Sequence, residues 1–269
     1  MIKKIAIAGL GWLGQPFSRH LQKLGYHVKG SVTSIEKTGV MQRNGIEAFP
    51  VELSENGISG EVEAFLNEVD CLVILIPPGL RKNTGADHVA KMAHFLAEIE
   101  KVSVQKVILV SSTSVYSDKQ GEVTEKDIPI AENDAARQLI EVEKLFFTSE
   151  KLNTTIVRFG GLVGGKRQPV HYLAGRKDLN NGNAPVNLIH REDCIGILSE
   201  IIKKEAFGHI FNAVAPFHPL KKHYYTQKAT ALNLDPPSYS EENNDAPVYK
   251  KVTSVNIPNI LGYAFKQQP

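Results

Sequence analysis

Short apolar runs alternate with helix-like segments along the first part of the chain. Three runs, at residues 3–10, 70–79 and 106–112, are largely apolar, and residues 27–32 form a further strand-like segment. Between them apolar residues recur at helical spacing, as in the segment 86–102. Continuous apolar strands joined by helices are typical of a parallel sheet that helices cover on both faces. The pattern therefore predicts an α/β fold with a Rossmann-type, doubly wound parallel sheet.

The rest of the sequence predicts further strands and helices, and its composition changes beyond residue 160. Further strands are predicted at 45–53, 154–164 and 209–214, and further helices at 15–25, 133–150, 191–204 and about 220–233. Beyond residue 160 the sequence becomes rich in glycine and polar residues, and the last 35 residues show little periodicity. We predict a Rossmann domain at 1–160. A small C-terminal, substrate-side lobe at 161–269 would be loop-rich and interleaved with the last elements of the sheet.

Composition and charge narrow the class of function. The formal net charge is +2 and the basic residues are scattered, which argues against nucleic acid as a partner. No apolar run reaches the roughly 18–20 residues that a membrane span needs. Cys71 and Cys194 lie far apart in apolar contexts without metal-ligand spacing. Buried free thiols in a reducing cytoplasm, and no metal site, are the expectation.

A glycine motif follows the first predicted strand. Gly9, Gly11 and Gly14 form the pattern G-x-G-x-x-G and open a predicted helix. In this context one glycine permits a tight turn, the second lets the backbone approach a pyrophosphate, and the third lets helix and strand pack closely. The helix N-terminus then presents N–H groups to the phosphates. The predicted dinucleotide-binding residues of this loop are Gly9, Leu10, Gly11, Trp12, Leu13 and Gly14.

The end of the second strand bears on the choice between NAD and NADP. An NAD site usually has an acidic residue there, which hydrogen-bonds the ribose hydroxyls. This chain has Thr33, Ser34 and Lys37 instead, with no acid before Glu36. Hydroxyls and a lysine suit a 2′-phosphate, so the sequence favours NADP over NAD. The alternative is that Lys37 is an exposed residue of the next helix.

Several stretches in order recur in one known family. IAIAGLGWLG is similar to its glycine loop, and LVSSTSVYSD to its serine strand and turn. IVRFGGLVGGKRQP resembles its Arg-containing strand and following loop, VNLIHREDCIGIL its Val-Asn-x-Ile-His-x-x-Asp segment, and GHIFNAVAP and LGYAF its later parts. The chain thus resembles the extended short-chain dehydrogenase/reductase superfamily, in its NAD-dependent epimerase/dehydratase group. The resemblance runs through nearly the whole chain and implies that residues 1–160 bind NAD(P).

The resemblance also implies roles for individual residues. Ser112, four residues before Tyr116, matches the active-site serine. Arg167 matches a basic loop residue that meets a substrate phosphate, and His190 with Asp193 matches the mouth of the substrate cleft. A helix cap for Asp193 and a packed position under a loop for His190 are the alternatives. Implied cofactor contacts besides the glycine loop are Thr33, Ser34, Ile76, Pro77, Pro78 and Ser111.

The family's catalytic Tyr-x-x-x-Lys pair has no counterpart here. Aligning Glu143 with the glutamate that follows the family's lysine puts the tyrosine slot at Ala135 and the lysine slot at Leu139. The resemblance is therefore to an atypical branch that has lost the dyad. Ser112 and Tyr116, on one turn, are the predicted catalytic residues. Further candidates for proton transfer are His88, His171 and His190.

Two functions from different classes follow. The first is an NAD(P)-dependent oxidoreductase or epimerase acting on a sugar-like or nucleotide-linked small molecule. The second is a non-catalytic NAD(P)(H)-binding sensor or scaffold, since binding needs the glycine loop but not the phenol. The superfamily often pairs subunits through the helices that correspond to 86–102 and 133–150, which implies a homodimer.

Overall fold

Strands and helices alternate along the computed structural model, which describes residues 2–79, 87–240 and 248–269. The strands are β1 (Lys4–Ala8), β2 (His27–Val32), β3 (Glu47–Ser54), β4 (Gly57–Gly60), β5 (Cys71–Ile74), β6 (Lys106–Ser112), β7 (Gly121–Val123), β8 (Asn153–Phe159), β9 (Gly161–Val163), β10 (Leu188–His190), β11 (Ile210–Ala213) and β12 (Lys250–Val252). The α-helices are α1 (Gly14–Lys23), α2 (Ile35–Arg43), α3 (Val62–Leu66), α4 (His88–Ile99), α5 (Asp134–Phe147), α6 (Arg191–Lys204) and α7 (Lys221–Ala231). Short 3₁₀ turns span Thr113–Val115 and Pro169–Tyr172, and a π-helical turn spans Ile257–Leu261.

Eight strands form the central sheet in the order β11-β8-β6-β5-β1-β2-β3-β4. All neighbouring pairs are parallel except β3 and β4, which form an antiparallel hairpin at one edge. From β1 the chain moves outward to β2 and β3, and then returns to place β5 on the other side of β1. The predicted doubly wound Rossmann-type sheet is confirmed, with its topological switch point between β1 and β5.

Helices cover both faces of this sheet, as its apolar strands require. On one face α1 and α6 bury side chains such as Leu21 and Ile197 in a core that β1, β2, β8 and β11 share. On the other face α3, α4 and α5 contribute Phe65, Phe95 and Phe146 to a second core. In a doubly wound sheet, ligands bind at the carboxyl ends of the parallel strands. The two cores hold these strands in place from both faces.

Several predicted bounds agree with the structure, and the others differ for local reasons. β2, β6 and α6 have the predicted bounds. β5 ends at Ile74, well before the end of the predicted run 70–79, which contains two prolines that cannot donate to a ladder. α4 begins at His88 because the Asp87 side chain caps it, accepting from Ala90 N at 2.9 Å. Ala86, the first residue of that predicted helix, lies outside the described residues.

The chain beyond residue 160 is more ordered than its composition predicts. The predicted strand 154–164 is two strands, β8 in the main sheet and β9 in a short parallel ladder with β10. They part at Gly160, where an added Cβ would lie 2.8 Å from the Asn187 carbonyl oxygen. A second short ladder pairs β7 with β12, from the C-terminal segment predicted to lack periodicity. Residues 241–247 of that segment lie outside the described residues.

The C-terminal residues are held against α6 by a buried carboxylate. Asp193 is fully buried and accepts hydrogen bonds from the Tyr263 hydroxyl at 2.8 Å, Lys266 N at 2.8 Å and Gln267 N at 3.1 Å. The side chain that caps α6 is that of His190. Of the two alternatives for Asp193, the structure thus shows neither a helix cap nor an open cleft residue, but an anchor for the chain end.

The cysteines and the helices bear on two further expectations. Cys71 and Cys194 are both free thiols in the apolar core, and burial raises the pKa of each well above its usual range.

Within residues 2–79, 87–240 and 248–269, no helix combines the length and apolar composition that a bilayer span needs.

Candidate functional site

Three glycines shape the turn between β1 and α1, each for its own steric reason. Gly9 has a φ of 105°, a left-handed conformation that glycine adopts without strain. A Cβ on Gly14 would collide with the carbonyl oxygen of Gly9, so α1 starts in direct contact with the turn. A Cβ on Gly11 would meet nothing within 4 Å. The loop is therefore closely packed on the protein side and open at Gly11.

The N-terminus of α1 is suited to an anionic ligand. Its N-cap, Leu13, makes no side-chain capping hydrogen bond, and its first turn holds no acidic residue. The positive end of the helix dipole is thus left without an internal anion. The side chains of Leu10 and Leu13 are buried, so these two residues can meet a ligand through their backbone only. The glycine loop and the uncapped N-terminus of α1 fit a dinucleotide pyrophosphate.

Adjacent strands bring further predicted residues to the same edge. Gly9 N donates to Ser31 Oγ at 3.1 Å and Leu10 N to the Ser31 carbonyl oxygen at 2.9 Å, which ties the loop to β2. On the other side Leu75 N, just after β5, donates to the Ala8 carbonyl oxygen at 2.9 Å. The predicted residues Ile76, Pro77 and Pro78 follow this point. They flank the switch point at which ligands of doubly wound sheets bind.

The end of β2 carries a hydroxyl and an ammonium group in contact. Lys37 Nζ donates to Thr33 Oγ1 at 2.9 Å, and both residues are exposed. Ser34 caps α2, its Oγ accepting from Lys37 N at 3.4 Å. Lys29 points elsewhere, since its Nζ donates to the Ala64 and Asn67 carbonyl oxygens at 3.3 and 3.0 Å. The predicted 2′-phosphate residues Thr33, Ser34 and Lys37 therefore lie together at one exposed corner.

Ser112 ends β6 with its side chain half-buried. Its Oγ accepts from Ser114 N at 3.2 Å, which caps the 3₁₀ turn and leaves the hydroxyl proton available for donation. On α5, the tyrosine slot is the half-buried Ala135 and the lysine slot is the buried Leu139. Ser112 thus has no phenol or amine from α5 at the slots where the family has them.

The neighbouring Ser111 and Tyr116 belong to a buried polar network. Arg158 donates to Glu143 with a shortest distance of 2.6 Å, and Ser111 Oγ donates to the same carboxylate at 2.6 Å. Arg158 Nη1 also donates to the Tyr116 hydroxyl at 2.6 Å, and that hydroxyl lies 3.2 Å from Asn212 Oδ1. Tyr116 is 1% exposed, and burial raises the pKa of its phenol. The network joins β6, α5, β8, β11 and the turn after β6.

The predicted substrate residue Arg167 lies against the glycine loop. Its guanidinium is 5.4 Å from the Trp12 ring, and that of Arg191, at the start of α6, is also 5.4 Å from the same ring. The loop that carries Arg167 turns through Gly164 and Gly165, both with positive φ. A Cβ on Gly164 would lie 2.7 Å from His190 Nε2. The loop that carries Arg167 therefore contacts Trp12 through Arg167 and lies against His190 at Gly164.

The three candidate histidines occupy different environments. His190 Nδ1 accepts from Glu192 N at 3.3 Å, so in the neutral ring Nε2 carries the proton. His171 is exposed on the 3₁₀ turn after the loop. His88 is buried beside α5, and burial lowers its pKa to about 4. His190 is the one of the three that contacts the loop beside Trp12.

Sequence reasoning missed two features around the site. One is the stacking of two arginines on Trp12; the other is the buried pair of Arg158 and Glu143. Signals were present, since Arg158 interrupts the apolar run 156–159 of β8 and Glu143 falls on the inner face of α5. An arginine in such a strand needs a buried carboxylate partner, which the helical spacing could have supplied.

Comparison with known proteins agrees with this geometry. A family described as NAD(P)H-binding matches residues 9–204, most of the chain. Protein YeeZ from Escherichia coli (strain K12) is 32% identical over 268 residues, covering 98% of this chain and 96% of that protein. A match of this extent reaches from the glycine loop through the C-terminal segment.

Solved structures share the fold at low sequence identity. The UDP-glucuronic acid 4-epimerase from Bacillus cereus, in complex with NAD, superimposes with a TM-score of 0.80 at 18% identity, covering 98% of this chain and 92% of that one. MoeE5, in complex with UDP-glucuronic acid and NAD, gives a TM-score of 0.77 at 15% identity, covering 98% and 94%. The described residues thus share the fold of these proteins.

Proposed function

We propose that this chain, which belongs to the NAD(P)H-binding family, is an oxidoreductase or epimerase acting on a sugar-like or nucleotide-linked small molecule. The observation that carries the proposal is the shared edge of three adjacent parallel strands. Gly9 follows β1, Ile76 lies just after β5, and Ser112 ends β6, so a dinucleotide on the glycine loop extends toward the serine. The fold likeness to the UDP-glucuronic acid 4-epimerase from Bacillus cereus supports this substrate class by analogy.

The chain's own residues take separate parts in this reaction. The backbone of residues 9–14 and the N-terminus of α1 hold the pyrophosphate. The Ser112 hydroxyl donates a hydrogen bond to an oxygen of the substrate and polarises it, and Arg167 and His190 bind the anionic or hydroxyl groups of the substrate. When bound, the nicotinamide supplies hydride transfer to or from a substrate carbon. The lobe 161–269, which carries Arg167 and His190, forms the substrate side of the cleft.

Tyr116 was predicted to be catalytic together with Ser112, and its surroundings argue for another role. Its hydroxyl lies within the network of Arg158 and Asn212, away from solvent. A phenol held in this way supports the turn that carries Ser112. We assign Ser112 the contact with substrate, while catalysis by Tyr116 stays a prediction.

For the cofactor we propose NADP in preference to NAD. The support is the exposed pair of Thr33 and Lys37, whose 2.9 Å contact puts an ammonium and a hydroxyl at the end of β2. A 2′-phosphate would accept hydrogen bonds from both groups. The first acidic residue after β2 is Glu36, in the first turn of α2.

Titration with reduced cofactor tests the binding part of the proposal. Trp12 is the single tryptophan and lies in the glycine loop. Its emission should fall saturably with NADPH, and less steeply with NADH, through contact and energy transfer to the nicotinamide. No change with either cofactor, in protein shown by circular dichroism to be folded, would refute the proposed site.

The reaction is tested at Ser112. If its hydroxyl polarises the substrate, Ser112→Ala should lower kcat by about 10²-fold or more while the affinity for NADPH stays within twofold. The assay screens nucleotide sugars by the change in nicotinamide absorbance and by isomer analysis. Ser114→Ala, on the same turn, is the matched control. An unchanged kcat in Ser112→Ala would remove the serine from the mechanism.

The predicted loss of the dyad favours a second candidate, a non-catalytic NAD(P)(H)-binding sensor or scaffold. A sensor must bind oxidised and reduced cofactor with different affinities, because a ligand shifts an equilibrium only by its differential affinity. Calorimetric titrations with NADP⁺ and NADPH separate the two candidates. A difference of tenfold or more without turnover on any sugar would support the sensor; equal affinities would exclude it.

A further inference from the structure

A groove between α1 and α6 lies next to the glycine loop but extends away from it. The cavity has a volume of about 560 Å³; its lining begins at Gly11 and Trp12 of the glycine loop and continues along the outward face of α1 and the first turn of α6. On α1 the wall runs from Gln15 to Lys23, which spans about 12 Å along the helix axis. Its volume is sufficient for a small-molecule ligand.

Positive charge dominates the groove. Arg19, Lys23 and Arg191 line it, together with the single acid Glu192. Arg191 is 3.5 Å from Glu192, whereas in the described part of the chain Arg19 and Lys23 form no ion pair. A further guanidinium, that of Arg167, stacks on Trp12 in the wall. Three cations against one acid in a concave surface, with Arg167 close behind Trp12, favour an anionic ligand.

Two N–H donors in the same wall lack acceptors. Among the residues that the structure describes, the indole Nε1 of Trp12 and the Nε of Arg191 are shielded from solvent without a hydrogen-bond partner. Elsewhere in the described residues, buried side-chain nitrogen and oxygen atoms have partners. A buried donor without an acceptor is costly, and a small shift of either side chain would let it donate to a ligand in the groove. Both donors belong to residues that line the cavity.

We propose that this groove is a second ligand site, which binds a phosphate-bearing small molecule beside the cofactor. Guanidinium groups favour phosphate because their planar donors match its oxygens. The indole of Trp12 and the aliphatic side chain of Ile195 provide an apolar surface for the rest of the ligand. The groove begins at Gly11 and Trp12, beside the proposed pyrophosphate position. The site goes beyond the cofactor function because Arg19, Lys23 and Ile195 extend it along α1 and α6, past the glycine loop.

The test measures binding of inorganic pyrophosphate by calorimetry, with and without saturating NAD⁺, at constant ionic strength. Arg19→Ala/Lys23→Ala removes two exposed cations of the groove. Lys101→Ala/Lys203→Ala removes the same charge from exposed positions outside it, where side-chain exposures are 66% and 70%. We expect pyrophosphate to bind in the presence of NAD⁺. The groove variant should weaken this binding about tenfold, with the control within twofold.

Three results would overturn the proposal, and none depends on turnover. They are absence of pyrophosphate binding, its displacement by NAD⁺, and equal affinity in the groove and control variants. Displacement would assign the anion to the cofactor site itself. The affinity for NAD⁺ should be unchanged in Arg19→Ala/Lys23→Ala, so failure of the second site and failure of cofactor binding are distinguished.

Discussion

At the scale of the residue, Gly11 and Gly14 differ in what a methyl group would meet. A Cβ on Gly14 would collide with the backbone of Gly9, whereas one on Gly11 would enter open space. We expect Gly14→Ala to lower the free energy of unfolding by about 1–3 kcal/mol and to abolish cofactor binding. Gly11→Ala should fold normally yet weaken NADPH binding by tenfold or more, because the methyl group would occupy space for the pyrophosphate.

The two glycine variants are compared by urea denaturation and by Trp12 emission with NADPH. Each variant serves as the control for the other, since both add one methyl group to the same loop. If Gly11→Ala bound NADPH with the parent affinity, the ligand would not pass over this glycine. The glycine loop would then have to be assigned a purely structural role.

Lys37 tests the choice of cofactor at the same scale. Lys37→Ala removes the ammonium group that lies 2.9 Å from Thr33 Oγ1. We expect the affinity for NADPH to fall about tenfold, while that for NADH, which lacks the 2′-phosphate, stays within twofold. The two titrations on one variant control for unfolding. Equal losses for both cofactors would contradict a 2′-phosphate contact.

At the scale of the element, the pair of Arg158 and Glu143 connects β8 to α5 inside the core. Both side chains are buried, and Ser111 on β6 shares the carboxylate. The hydrogen bonds and charge of Glu143 outweigh burial and raise the pKa of Arg158, so the guanidinium stays charged. Glu143→Ala leaves that charge without a partner, and we expect it to cost about 3–5 kcal/mol of unfolding free energy.

The double variant Glu143→Leu/Arg158→Met separates charge from packing. Because it removes both charges at similar volume, it should be more stable than the single variant Glu143→Leu, which leaves the guanidinium unpaired. Chemical denaturation of the parent, Glu143→Leu, Arg158→Met and the double variant forms the cycle. A double variant that is no more stable than Glu143→Leu would show that packing, and not the unpaired charge, determines the loss.

The contact of α4 with α5 predicts a pH dependence of stability. His88 N donates to the Gln138 side chain at 2.8 Å, and burial, with Lys91, lowers the pKa of His88 to about 4 against the opposing effect of Asp87. The unfolded chain binds this proton more readily than the folded one. The contribution of His88 to the free energy of unfolding is therefore complete above pH 6.5 and is lost as pH falls toward 4. From pH 7.5 to 5.0 the histidine contributes a loss of about 2 kcal/mol.

The measurement is urea denaturation of the parent and of His88→Gln at both pH values. Other groups titrate in this range, so the prediction concerns the difference between the two proteins. His88→Gln should lose about 2 kcal/mol less than the parent on acidification. The same acid-induced loss in both proteins would mean that His88 is protonated in the native state.

At the scale of the whole molecule, the main sheet was predictable because strands such as β1, β5 and β6 are mostly apolar. The run at 27–32 and the run at 106–112 coincide with β2 and β6. The short ladders were not predictable, because three-residue strands such as β7 and β12 carry no periodicity and pair across much of the chain. Only the folded chain brings their edges together.

The candidate site likewise has a part that the sequence predicts and a part that only the folded chain shows. The glycine loop was predictable because its motif, the preceding strand and the following helix are contiguous. The groove beside it was not, since Trp12, Arg167 and Arg191 come from separate segments and meet only after β1, β9 and α6 are assembled. The roles of Ser112, Arg167 and His190 remain predictions at this scale, to be decided by turnover and binding.

The burial of Cys71 and Cys194 has a practical consequence for all of these measurements. Thiol reagents attack the thiolate, and both native thiols are shielded with a raised pKa. A cysteine introduced on the surface, for example at Arg19, would therefore be modified selectively by maleimide dyes. Site-specific labelling of the groove should proceed on the natural background, without first replacing either native cysteine.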